Sequence, residues 1–232
     1  MTVNATLEHE QEQRAAFAAL TYAAEFPDRN LLGLLGTLSP ANVVAVIKTG
    51  AMPGHGELPE IAAGYLRAAA EAGTLPWWRS QLQCAPEDGG HDAAARHGFR
   101  LVCPGEAGWP SSLYALGPDR PCALWVKGAD LPLRQSAPVA VSGSRVATAY
   151  GTHVAGQIAG GLAEDDVPVI SGGAFGIDAA AHWAVLAAGG TAVAVVPNGP
   201  GPAYPAAHAD LLEAVASGGG TIVTEQPPDA TA

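Results

Sequence analysis

Two short stretches of this sequence hold the residue types that a phosphate group needs. Val139-Ala-Val-Ser-Gly-Ser-Arg145 and Val169-Ile-Ser-Gly-Gly-Ala-Phe-Gly-Ile-Asp178 each pass from an apolar β-type run into a small-residue loop, and a helix-like pattern follows. Backbone N–H groups at a helix start carry partial positive charge, and an anion reaches them closely only where side chains are absent. Two parallel strands emptying side by side into such loops imply a phosphate-bearing ligand: nucleotide, dinucleotide or nucleic-acid backbone. The candidate contacts are Ser142, Gly143, Ser144 and Arg145 in the first loop, and Ser171, Gly172, Gly173, Phe175, Gly176 and Asp178 in the second. Arg145 is the strongest of them, because a guanidinium beside a loop glycine can grip two phosphate oxygens. Its competing reading is a salt bridge to Asp178 or another local acid.

The neighbouring residues divide between site and scaffold. Asp178 reads first as a cap for the helix that begins nearby, and otherwise as a carboxylate that orients Arg145. His182 shares its helix face, but no second histidine or cysteine has ligand spacing, so neither a metal nor a cofactor is expected. Trp183 reads as core. Phe175 is either an exposed ring on which a base stacks or a ring buried under the sheet edge. Asn198-Gly199 and Tyr204-Pro205 supply a third loop at the same edge, with Tyr204 touching a ligand or anchoring the loop. Ser144, Ser171, Asp178 and His182 form no nucleophile–base arrangement, so no catalytic residue is assigned. The glycine pattern also lacks the three-glycine dinucleotide fingerprint.

From Pro138 onward the pattern alternates: strands at Val139–Val141, Val167–Ile170, Ala192–Val196 and Thr221–Val223, helices at Tyr150–Ala163, Ile177–Ala188 and Ala206–Ala216. Near-continuous apolar strands separated by helices indicate a parallel sheet covered on both faces. Right-handed crossovers then bring the strand ends, and the loops, to one edge. Upstream, Arg100–Pro104 and Ala123–Lys127 read as two further short strands. Residues 14–82 read as a small all-α domain, with Ser39 capping and Pro40 opening one helix that Gly50 ends. Residues 1–13 read as a disordered polar tail, 83–99 as a linker, and 100–232 as a partial Rossmann-like α/β domain.

Composition sets bounds and raises one objection. Hydrophobic residues make up 48% of the 232, ample for a core. No run approaches the roughly 18 apolar residues of a membrane span, and the N-terminus lacks the basic and apolar regions of a signal peptide. Cys84, Cys103 and Cys122 are odd in number without metal spacing, which fits reduced thiols and a cytoplasmic protein. The formal net charge is −11, and from Arg134 to the end Arg134 and Arg145 are the only Lys or Arg residues. Polyanion binders ordinarily show a basic patch, because neutralising phosphates supplies much of their affinity.

At these residues the sequence resembles the DprA/Smf family, the bacterial DNA-processing proteins of natural transformation. The likeness rests on Val139–Arg145 with Thr148 and Tyr150-Gly151, then Ser171–His182, Gly190–Val196, Tyr204-Pro205 with His208, and Thr224–Pro228. Upstream it takes in Leu101–Gly105, Trp109-Pro110, Leu113 and Ala123–Gly128, so that nearly the whole chain is covered. The resemblance implies an extended Rossmann-like domain after a sterile-alpha-motif-like helical domain. It implies a non-enzymatic protein that binds single-stranded DNA without sequence preference, shields incoming strands and loads a RecA-type recombinase on them, usually as a homodimer. By motif position the phosphate contacts fall on Ser142–Arg145 and Ser171–Asp178.

Two departures stand out. Phe175 occupies a place where the family usually carries a basic residue. The chain also stops shortly after Glu225-Gln-Pro-Pro228, where the family continues with a basic segment and more sheet; the expectation is a C-terminal truncation that weakens both DNA contacts and the homodimer. Two other readings compete. One is a nucleotide phosphoribohydrolase of the lysine-decarboxylase-like family, for which only Gly218-Gly-Gly-Thr221 with Glu225 is available, in the wrong order. The other is a degenerate remnant that exposes an unpaired sheet edge and binds little.

Overall fold

The computed structural model describes residues 3–24, 28–131 and 137–232. Arg134, counted above for charge, lies outside them. The chain divides into two compact units, one of Met1–Asp92, Leu101–Leu124 and Glu225–Pro227, the other of Ala93–Arg100, Trp125–Thr224 and Pro228–Ala232.

The first unit is built on helices α1 (Val3–Ala23), α2 (Arg29–Leu35), α3 (Pro40–Thr49), α4 (Glu60–Glu71) and α5 (Thr74–Cys84). Helix α1 starts at Val3, within the stretch expected to be a disordered tail. Residues 7–12 are exposed; a helix made of Glu and Gln has propensity but no apolar stripe to announce it. The Ser39 hydroxyl accepts from the Asn42 N–H, Pro40 sits in the first turn and Gly50 closes α3 at φ 78°, as the local signals required. Leu20, Leu31, Leu34, Val46, Ile47 and Trp78 form the buried interior. The segment 101–124 belongs to this unit, not to the sheet unit that a linear boundary at residue 100 implies. Arg14 ties it in, pairing with Glu106 and donating to the Leu101 carbonyl at 2.8 Å. Within the expected linker, α5 continues to Cys84 and a short α6 spans His91–Arg96.

The second unit carries the α/β architecture. Strands β1 (Phe99–Val102), β2 (Leu124–Gly128), β3 (Val139–Ala140), β4 (Val169–Ser171), β5 (Ala192–Val195) and β6 (Thr221–Thr224) lie in the order β1-β2-β6-β5-β4-β3. Strands β3 to β6 are parallel, in register at Val139↔Val169, Val169↔Ala192 and Val193↔Thr221. This is the Rossmann-like sheet read from the alternation. Strand β2 runs antiparallel to β6, with Trp125 opposite Thr224, so the whole sheet is mixed. Helices α7 (Ala149–Glu164), α8 (Ile177–Ala187) and α9 (Ala209–Ser217) make the crossovers. Their inner faces close a core of Ala159, Ala181, Val185, Leu211, Val215 and Ile222 over Val169 and Ala194. Gly218–Gly220 turns the chain from α9 into β6, where the Gly218 and Gly220 N–H groups bond Ala214 and Val215 carbonyls. That is the amino end of the strand, opposite the edge where a phosphate loop would stand.

Candidate nucleic-acid interface

Strands β3 and β4 end beside each other, and their loops touch. The Ile177 N–H donates to the Ser144 carbonyl at 3.2 Å. Gly176, at φ 78° and ψ −118°, lies against the Ser144 and Arg145 backbone; a Cβ there would stand 2.8 Å from the Arg145 oxygen. Gly143 faces Ile177, where a Cβ would come within 2.8 Å of Cγ1. Side chains at either glycine would force the loops apart, so these two positions set their apposition. Arg145 and the 172–176 bend thus share one side of the sheet.

Asp178 organises the pair. It is 5% exposed, and its Oδ2 accepts from the Gly172 N–H at 3.1 Å and the Ala174 N–H at 3.4 Å. Its Oδ1 accepts from the Ser142 hydroxyl at 3.2 Å. The helix-cap reading is therefore corrected: Gly176 holds the N-cap position without a side-chain bond, and the carboxylate braces both loops. Orientation of Arg145 fails as well. Arg145 is exposed and makes no ion pair among the described residues; the Asp178 oxygens are engaged by neutral donors instead. Among the described residues, the N–H groups of Gly143, Ser144, Arg145, Gly173, Phe175 and Gly176 donate to no protein acceptor.

Phe175 is 45% exposed, which decides against burial under the sheet edge. Its ring leans on His208, centroids 4.5 Å apart and planes tilted 57°. The His208 Nδ1 lies 2.8 Å from the Gly173 carbonyl; a carbonyl only accepts, so Nδ1 carries the proton. His208 thus fixes the second loop from the third, a role that no local spacing reveals. Trp183 is 49% exposed, against its reading as core, while His182 is wholly enclosed. Burial holds the His182 imidazole below the ordinary histidine range, opposed by the Ser171 backbone and Asp178. Tyr204 is half exposed and lines a cleft with Asn198. Apart from Arg145 there is no Lys or Arg in the described stretch 137–232, so the site is made of amide dipoles, one guanidinium and one aromatic face.

A parallel sheet with two touching glycine loops at its carboxyl edge defines a Rossmann-like α/β protein with an open strand-end crevice. Residues 100–232 match the family model of the DNA recombination-mediator protein A, and the chain belongs to that family. It is 36% identical over 225 residues to a DNA processing protein DprA of Mycobacterium tuberculosis H37Rv, covering 92% of this chain and 53% of that protein. It is 39% identical over 111 residues to protein Smf of Escherichia coli K12, covering 48% of this chain and 29% of Smf. The chain spans about half the length of the mycobacterial relative. Among solved structures, DprA of Streptococcus pneumoniae shares the fold, with a TM-score of 0.59 at 21% identity over 93% of this chain and 69% of that one. DNA processing protein A of Helicobacter pylori, described for its single-stranded DNA binding mode, matches with a TM-score of 0.51 at 25% identity, covering 57% of this chain and 58% of that one.

Proposed function

We propose that this chain binds single-stranded DNA without sequence preference. Phosphates sit on the free N–H groups of Gly143–Arg145 and Gly173–Gly176 with Arg145 across them, and a base stacks on Phe175. Ser142, Ser171, Gly172 and Asp178 hold the loops in place. The observation that carries this reading is the contact between the two loops, beside which six amides and the Arg145 guanidinium have no protein partner among the described residues. Kinship with the DNA recombination-mediator proteins and likeness to the H. pylori protein support it. In the cell the role is to shield strands in the cytoplasm during natural transformation and pass them to a RecA-type recombinase, as a homodimer and without catalysis. Residues 14–82 are its sterile-alpha-motif-like domain. No helix among the described residues is long and apolar enough to cross a membrane.

The acidity of the chain becomes a property of the mechanism. Amide dipoles release few counterions, so binding depends on salt as for about one neutralised phosphate, a slope near −0.7 in log K against log salt for a single strand. Titration of a labelled oligonucleotide at low salt tests this. Arg145→Ala is expected to weaken binding roughly tenfold or more, the worth of a charged hydrogen bond, and to flatten the slope toward zero. A folded chain that binds no strand up to roughly 100 µM, the weak end of non-specific DNA affinity, would overturn the reading.

A further inference from the structure

The 172–176 bend stands on two residues, Ser171 at the end of β4 and Asp178 in the first turn of α8, and His182 lies within reach of both. Ser171 follows the core residue Val169 by two positions, so both side chains point to the helix-covered face of the sheet. Asp178 and His182 stand at i and i+4 on one face of α8, the face that Ala181 and Val185 also turn to the core. His182 is 0% exposed and Ser171 5%. Neither ring nitrogen nor the Ser171 hydroxyl has a hydrogen-bond partner among the described residues. Such orphaned interior atoms cost free energy that an apolar side chain in the same space would not. The core facing α8 from β4, β5, α7 and α9, at Val169, Ala194, Ala159 and Leu211, is uncharged. Asp178 is the charged group that acts on the ring, and the Ser171 main chain is the second group that favours a proton there. A backbone group that favours imidazolium is a carbonyl.

Beside a neutral ring the Asp178 oxygens hold the Gly172 and Ala174 amides and the Ser142 hydroxyl. A protonated ring donates from both nitrogens and competes for that carboxylate and for the Ser171 carbonyl, at both feet of the bend. We propose that His182 is a positioning residue for strand binding: the bend offers its N–H groups to phosphates while the ring is uncharged, and a proton on His182 and a strand on the loops exclude each other. This rests on the function proposed above and adds a sensitivity to pH. The exclusion fixes sign and size. Affinity is full above the range in which the ring titrates and falls below it by at most about tenfold per pH unit, one proton competing with one strand. Burial holds that range under the ordinary histidine value, so the fall begins below about pH 6.5. His153 is exposed and His208 half-buried; protons there add positive charge and tighten phosphate binding, so neither ring imitates the loss.

Affinity for a labelled 12-nucleotide strand is measured between pH 7.5 and 5 at constant salt, with the folded fraction checked at each pH. The full chain is compared with His182→Gln, whose amide stays neutral throughout. The wild type is expected to hold its affinity down to about pH 6.5 and then to lose up to about tenfold per unit. His182→Gln is expected to bind like the wild type at pH 7.5 and to lose nothing as the pH falls. A ring that only fills space would give both proteins one profile, flat or falling, and that result overturns the proposal. Should His182→Gln fail to fold, the wild-type ring is read directly by its carbon-13 signals, with and without saturating strand. The strand is expected to move the titration of the ring to lower pH; a titration that it leaves in place overturns the proposal. If no strand binds at any pH, the function proposed above fails, and the coupling is read from the Gly172 and Ala174 amide signals. Shifts that follow protonation of the ring sustain the positioning role, and amides indifferent to it overturn that role.

Discussion

Removing the Asp178 carboxylate should loosen the site from within. Three donors converge on it: the Gly172 and Ala174 amides and the Ser142 hydroxyl, at 3.1, 3.4 and 3.2 Å. A hydrogen bond to a charged acceptor contributes about 1.5–3 kcal/mol net. These bonds are long, and Ser142 is exposed, so water replaces part of what is lost; the sum expected for Asp178→Ala is about 2–4 kcal/mol, a large part of an ordinary domain's stability. Asp178→Asn separates charge from geometry. Its oxygen can still face the two amides, and its NH₂ can donate to Ser142, whose hydroxyl accepts as readily as it donates. Only charge assistance is lost, about 1 kcal/mol. Urea unfolding read at constant m gives both values, and hydrogen exchange at Gly172 and Ala174 reports the loop locally. The expected order of stability is wild type, Asn, then Ala, with faster exchange at both amides in the alanine variant. An Ala variant within about 0.5 kcal/mol of wild type, the usual range for surface substitutions, would refute the bracing role, and so would Asn no better than Ala.

Two further outcomes follow from burial. The enclosed His182 resists protonation in the fold but takes a proton near pH 6.5 once unfolded. Its contribution is therefore complete above about pH 6.5 and is lost as the pH falls below it, by at most about 1.4 kcal/mol per pH unit. Glu225, whose burial raises its carboxyl, acts with the opposite sign, favouring the fold as the pH falls toward its ordinary value. Urea unfolding of His182→Gln beside wild type at pH 7 and 5.5 isolates the histidine; equal slopes in the two proteins would refute it. Burial also pushes the Cys103 and Cys122 thiols up to about 12, whereas Cys84 is exposed. A chromogenic disulfide reagent should titrate one thiol in the native protein and all three in denaturant, and rapid reaction of a second native thiol would contradict the buried pair.

Local chemistry made parts of this fold legible. A β-run, small loop and helix repeat needs only short-range pattern, and both the parallel strands β3–β6 and the caps at Ser39, Pro40 and Gly50 appear where that pattern put them. What escaped depends on partners distant in sequence. The run Ala123–Lys127 reads the same whichever way it pairs, so the antiparallel register of β2 on β6 had no local signal. Trp183 points outward because Ala180 and Ala184 pack on Gly156, turning Ala181, His182 and Val185 to the core. Apolar type alone could not choose between those faces. Asp178 carried the strongest local expectation and overrode it, since its acceptors found amides behind the helix start and a hydroxyl one strand away. His208 had only a position in a motif until its ring met Phe175 and its Nδ1 met Gly173.

The formal net charge of −11 counts side chains and leaves out oriented peptides. Among the described residues, six N–H groups without a protein acceptor stand with Arg145 at the two touching loops and concentrate partial positive charge there. Asp178 is in direct contact with the loops, and its oxygens are spent on Gly172, Ala174 and Ser142. On the function proposed above, Phe175 shifts the balance of the site from phosphate charge toward the base: it carries no charge and offers a half-exposed ring that leans on His208. A strand should consequently be gripped by its amide-bound phosphates and stacked rings, with a weak response to ionic strength that a lysine-lined groove would not give.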